Sequence, residues 1–171
     1  GRAAVVVPHG ILFGDGIAAR IKADLLEQFN LHTIVRLPEG TFSPYTDIPT
    51  NILFFDTSGP TEAIWYWEQP LPEGRRKYSK TFPLQFAEFS ESRAWWTKRK
   101  EGPRAWKVMG SDLVVRDEQG RVVSVDLDIK NPHATEAVDH REPKEILESA
   151  IEKESQVLSA LSEIRALLER A

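Results

Sequence analysis

Short β-branched runs alternate with one amphipathic stretch along the first third of the chain. Residues 3–7 are uniformly apolar and end at Pro8, which predicts a strand buried on both faces inside a parallel sheet. A loop over 9–14 leads into a helical stretch where Ile17, Ile21 and Leu25 recur at i, i+4 and i+8, widened by Ala18, Leu26 and Phe29. Asp15 or a neighbouring glycine can cap its first turn. Residues 31–37 predict a second strand, 38–49 a loop, and 51–56 a third buried strand. A strand, helix, strand series of this size predicts a right-handed crossover whose first strand has parallel neighbours and helices on both faces. Residues before Gly1 would have to supply those neighbours. The pattern therefore leads us to expect the C-terminal portion of a larger α/β protein.

Residues 63–67 form a fourth apolar and aromatic run, expected as an antiparallel edge strand joined through the Ser58-Gly59-Pro60 turn. The texture then changes. Pro70, Pro72 and Gly74 precede Arg75, Arg76 and Lys77; Phe82, Phe86 and Phe89 follow at helical spacing; Trp95 and Trp96 precede Lys98, Arg99 and Lys100. Residues 113–116 and 122–129 flank Asp117-Glu118-Gln119-Gly120 and predict a hairpin. Beyond Pro143, which suits a first helical position, Ala150, Val157, Leu161, Ile164 and Leu168 predict a long helix interrupted only at Glu154. At 1.5 Å per residue, about 28 residues would reach roughly 42 Å, long enough to project toward a partner helix. The resulting organisation is 1–70 as an α/β portion, 71–107 as a basic aromatic connector, 108–140 as the hairpin region and 141–171 as an assembly helix.

Charge sharpens this division. The 171 residues carry a formal charge of −4, but residues 1–70 sum to −4, 71–107 to +6 and 108–171 to −6. Cations interleaved with Trp, Tyr and Phe suit contact with nucleic-acid phosphates and bases, and equally a solvated basic face over an aromatic cluster. Cysteine is absent, which excludes disulfides, thiolate metal sites and cysteine nucleophiles. His9, His32, His133 and His140 are scattered and predict no metal site. No run approaches the length of a membrane span and no signal peptide is apparent, so a cytoplasmic location is expected.

Gly14-Asp15-Gly16-Ile17-Ala18-Ala19 fits the pattern G-x-G-x-x-A, and Arg36 at the end of the next strand could meet a 2′-phosphate, which would make an NADP-dependent oxidoreductase. Six residues separate the strand from the first glycine, however, where the phosphate turn needs the glycine directly. A glycine-tolerant loop and helix start is the simpler reading. His9 lies on a loop at a strand's carboxyl end, where open α/β sheets place ligands, or is a solvated loop histidine.

The series from Gly1 through Val5-Val6-Val7-Pro8-His9-Gly10 to Phe13, then Ala19-Arg20, Leu25-Leu26, Leu31 to Pro38, Phe42-Ser43-Pro44-Tyr45-Thr46 and Thr50 to Phe55, closely resembles the later half of adenine N-6 DNA methyltransferases, in particular the modification subunits of type I restriction–modification systems. Leu127-Asp128-Ile129-Lys130-Asn131-Pro132-His133 is similar to the segment that follows the methylase domain there. The resemblance implies the terminal portion of a class I, Rossmann-like S-adenosylmethionine-dependent methyltransferase sheet, with the last strand inserted antiparallel. A hairpin and a long C-terminal helix would follow. It also implies S-adenosylmethionine as methyl donor of the intact parent and adenine in DNA as acceptor. The family's Gly-rich donor loop and its Asn/Asp-Pro-Pro-Phe/Tyr motif do not occur in the 171 residues, so the chain alone is expected to be inactive.

Flipping a base out of the duplex calls for an aromatic wall against it. By resemblance Phe42 and Tyr45 are candidates for that wall, and Thr50 and Asn51 for polar contacts to the base; packing of the loop under the sheet edge is the alternative. Arg75, Arg76, Lys77, Lys98, Arg99 and Lys100 are candidates for DNA phosphates. Val157, Leu161, Ile164 and Leu168 would form the helix seam toward a specificity subunit, with a restriction subunit in the same assembly. A stand-alone or fused adenine methylase is the nearer alternative. A sheet edge missing its outer strands predicts self-association.

Overall fold

The computed structural model describes residues 1–134 together with Ile151 and Glu154. Runs of β-branched and aromatic residues make the strands β1 (Arg2–Pro8), β2 (Asn30–Arg36), β3 (Thr50–Asp56), β4 (Ala63–Glu68) and β5 (Ala105–Met109). They form one mixed sheet in the order β1-β3-β2-β4-β5. β3 inserts between β1 and β2 and runs antiparallel to both, so β1 and β2 point the same way. β4 is parallel to β2, and β5 closes the far side antiparallel to β4.

Strand alternation gives the sheet two different faces. On one, Ile34, Leu53, Ile64, Tyr66 and Trp106 pack with Leu12 of α1 (Gly10–Phe13) and with Ala23 and Leu26 of α2 (Ile17–Gln28). Leu113, Val125 and Leu127 complete this core from the hairpin of β6 (Val114–Arg116) and β7 (Val122–Val125) and its flanks. On the other face Val35, Leu37, Trp67 and Ala105 meet Phe89 and Trp95, the latter from α3 (Ser90–Thr97). Tyr66 and Trp106, cross-strand partners, stack with centroids 5.1 Å apart.

Five expectations are corrected. β1 is not buried on both faces in this chain: among the described residues it pairs only with β3, and Val5 and Val6 are 43% and 50% exposed. The fourth strand is neither antiparallel to its inner neighbour nor an edge, because β5, drawn from the basic block, pairs along its outer side. On α2, Ile17 and Ile21 are 76% and 62% exposed, and the buried stripe is Ala19, Lys22, Ala23 and Leu26; small alanines let the helix approach the sheet closely. Phe82 is not on a helix with Phe86 and Phe89; it bridges to Ser79, and helical structure begins with a 3-10 turn at Phe86–Phe89. The strand expected over 122–129 ends at Val125, and residues 126–131 run back across the sheet instead. The predicted helix seam at Val157, Leu161, Ile164 and Leu168 lies outside the described residues.

Candidate functional site

Open α/β sheets bind ligands beyond the carboxyl ends of their parallel strands, and polar groups gather there. Arg36, the last residue of β2, donates from Nη2 to Asp128 Oδ1 at 2.7 Å and to the Ile129 carbonyl at 2.8 Å. Its guanidinium lies 5.8 Å and 5.6 Å from the ring centroids of Tyr66 and Trp106. The other carboxylate oxygen of Asp128 meets His9 Nε2 at 3.3 Å, and His9 Nδ1 faces the Asn51 amide at 3.5 Å. Arg36 and Asn51 are register partners, so topology places the two side chains on one face at one end of the sheet.

Residues 126–131 form a strap over this end. Leu127 N donates to the Leu12 carbonyl, Tyr66 Oη donates to the Leu127 carbonyl at 3.1 Å, and the Asn131 amide donates to Glu68 and to the Pro103 carbonyl. Beside it Lys22 is buried, donating to the Leu12 carbonyl at 2.8 Å. Desolvation pushes its pKa below the ordinary lysine range, opposed by Asp126 and Asp15.

The loop over 38–49 leaves the same end of the sheet. Leu37 N donates to the Thr50 carbonyl and His9 N to the Pro49 carbonyl, which ties both stems of the loop to strand ends. Gly40 adopts φ +76° against Tyr78, where a Cβ would come within 2.2 Å of the Tyr78 carbonyl oxygen. Tyr78 N donates to the Glu39 carbonyl, and Lys77 pairs with Asp47 at 2.8 Å. That bond and charge lower the Asp47 pKa and raise that of Lys77. With its stems held in this way, the loop presents Tyr45 at 93% exposure and Phe42 at 40%.

The candidates from sequence therefore separate into groups. Thr50 and Asn51 are both buried at the start of β3, Asn51 turned to His9, while Phe42 and Tyr45 face outward on the loop. Arg75, Arg76 and Lys77 are exposed beside that loop, and Arg75 lies 4.8 Å from the Phe82 ring centroid. Lys98, Arg99 and Lys100 lie elsewhere: Arg99 Nη1 donates to the carbonyl of His32, at the amino end of β2. Five residues of strand at roughly 3.3 Å each hold the two cationic groups on the order of 17 Å apart. The importance of Asp128 was not legible from sequence, because only the fold brings it to Arg36 across 92 residues.

The dinucleotide reading fails on this geometry. α1 intervenes between β1 and Gly14, nothing lies within 4 Å of a Cβ built on Gly16, and Arg36 is committed to Asp128 and Ile129.

Comparison with known proteins places the chain. The N-6 DNA methylase family model matches residues 1–141. The chain belongs to the N-6 DNA methylase family. The type I restriction enzyme EcoEI methylase subunit of Escherichia coli is 43% identical over 175 residues, covering 98% of this chain and 34% of its own length. A crystal structure of a modification subunit assigned to a type I restriction enzyme from Vibrio vulnificus YJ016 is 56% identical with a TM-score of 0.78, covering 82% of this chain and 29% of that one. A structure reported for complex assembly and conformational transition of the type I R-M system is 40% identical with a TM-score of 0.69, covering 99% and 36% respectively. The chain thus spans about a third of the length of these relatives and corresponds to part of a type I methylase subunit.

Proposed function

We propose that this chain supplies the target-base side of a type I modification methylase, an enzyme that transfers a methyl group from S-adenosylmethionine to the N6 amine of adenine in DNA. The observation that carries this reading is the loop over 38–49. It leaves the carboxyl end of the sheet, is tied at both stems, and presents Phe42 and Tyr45 to solvent beside Arg75, Arg76 and Lys77. Stacking on an aromatic face stabilises an extruded base by ~1–3 kcal/mol, and neighbouring cations take the phosphates. Asn51, His9, Arg36 and Asp128 hold the strand ends under the loop and position it. When bound, S-adenosylmethionine supplies the electrophilic methyl group; the residues of this chain orient the acceptor base and do not hold the donor.

The test uses a full-length modification subunit carrying this segment. Removing the aromatic with Tyr45→Ala and Phe42→Ala should lower kcat/KM on DNA by about 10-fold to 100-fold, the kinetic equivalent of the lost stacking. Unchanged kinetics in both variants would remove the loop from the base pocket. In the parent assembly the segment beyond Pro143 docks on a specificity subunit, with a restriction subunit in the same system. Co-purification with the specificity subunit, lost on Leu161→Asp, checks that contact. The open β1 edge supports self-association of the isolated chain.

A further inference from the structure

The end of the sheet opposite the strap carries a second cleft, of about 480 Å³, whose walls include Asn30, His32, Glu62, Trp65, Arg99 and Lys107. It is shaped by a β-bulge. The register of β2 on β3 slips between Leu31 and Thr33, leaving His32 as the extra residue, and bulges re-aim side chains in this way.

The bulged histidine organises a cation. Arg99 donates from Nη1 to the His32 carbonyl and from Nη2 to His32 Nδ1, each at 3.3 Å, and its guanidinium lies 4.7 Å from the Trp96 centroid and 5.7 Å from that of Trp95. Nδ1 also meets Thr33 Oγ1 at 2.8 Å, a hydroxyl that can donate; since Arg99 can only donate, the tautomer that suits both contacts has Nδ1 accepting and the proton on Nε2. On β5, Lys107 is the cross-strand partner of Trp65, with Nζ 5.9 Å from its ring centroid. Trp65 in turn meets Trp95 edge-on at 5.8 Å, so aromatic rings join the two cations.

What sets Arg99 apart among the described residues is that it is partly desolvated and held in place without a carboxylate partner. Arg36, Lys77, Arg104, Arg116 and Arg121 all face carboxylates. Among the described residues neither Arg99 nor Lys107 has a carboxylate within ion-pair distance, although Arg99 is partly desolvated and fixed in place. Holding a partly desolvated cation without a counter-ion costs free energy that an incoming anion recovers. Glu62 is the one carboxylate among the described residues lining the cleft; close by, Glu101 accepts from the Lys107 backbone N–H at 3.3 Å and Asp56 acts on His32, so an anion is favoured nearest the Arg99 guanidinium and the Lys107 ammonium.

We infer that this cleft is a phosphate-binding site, taking a phosphate group, from a nucleic-acid backbone or free in solution, between Arg99, Lys107 and the Nε2–H of His32. It stands on groups remote from the loop over 38–49, so it survives or fails independently of the methylase reading.

The test follows the five tryptophan indole N–H signals of the 171-residue chain by NMR during titration with inorganic pyrophosphate and, separately, with duplex DNA of arbitrary sequence. The signals of Trp65 and Trp96 should move saturably with at least one ligand. Lys107→Gln should weaken that binding severalfold and lower its salt slope by about one for DNA, while Arg121→Gln, on the hairpin against the other face of the sheet, leaves the two signals responding as before. Arg99→Lys keeps the charge but loses the fork, and should weaken binding too. Response to DNA alone assigns a backbone phosphodiester, and response to pyrophosphate alone assigns a free phosphate; both keep the site. No movement with either ligand, or wild-type titrations from both Lys107→Gln and Arg99→Lys, overturns it.

Discussion

Arg36 and Asp128, 92 residues apart in sequence, are joined at 2.7 Å with the arginine side chain 16% and the aspartate 25% exposed. The bond fastens the strap at residues 126–131 to the end of β2. Asp128→Asn leaves a largely buried guanidinium without its charged acceptor and should cost about 1–3 kcal/mol. Arg36→Met with Asp128→Asn should cost less than the sum of the single changes, since the second substitution removes an interaction already lost. Urea denaturation of the four chains measures the coupling; strict additivity would show that the strap is held by other contacts.

The two sides of α2 make opposite predictions. Leu26→Ala opens a void in the core against the sheet and should cost about 2–4 kcal/mol. Ile21→Lys, at an exposed position, should change stability by less than about 0.5 kcal/mol. A large loss from Ile21→Lys would mean that the stripe seen in the sequence is the buried one after all.

His32 gives the fold a specific acid sensitivity. Burial chiefly, and then Arg99, lower its pKa from the ordinary 6.5, outweighing the opposing pull of Asp56. The unfolded chain therefore binds a proton more readily than the folded one between the lowered value and 6.5, so stability falls as pH drops through that window and is regained above it. His32→Gln should flatten this part of the stability profile. An identical pH profile for the variant would show that His32 titrates as an ordinary surface group.

Among the described residues no strand pairs with the outer edge of β1, and Val5 and Val6 are exposed on its opposite faces. Val6→Lys places a charge there and should reduce concentration-dependent association in sedimentation. Association unaffected by this substitution would locate the contact elsewhere.

Much of the central sheet was legible because β2 and β3 are apolar runs bounded by turn residues, and a series of short motifs carried the family resemblance. β5 was hidden because Trp106 and Val108 alternate with Lys107 and Met109 inside a block whose charge dominated its reading. The face of α2 was misread because Ile17 and Ile21 are the bulkier apolar residues, whereas close helix–sheet packing selected Ala19 and Ala23. Of the candidate site, the loop aromatics were visible as residues. The seam of His9, Arg36, Asn51 and Asp128 was not, since it exists only when four chain segments meet. Likewise the cations that form one block in sequence divide between two ends of the sheet.

The central claim is that this chain orients the acceptor base and does not bind the methyl donor. Calorimetric titration of the 171-residue chain with S-adenosylmethionine tests it most directly. The account predicts no saturable heat, while a full-length modification subunit run alongside binds; a saturable one-to-one isotherm from this chain would contradict it.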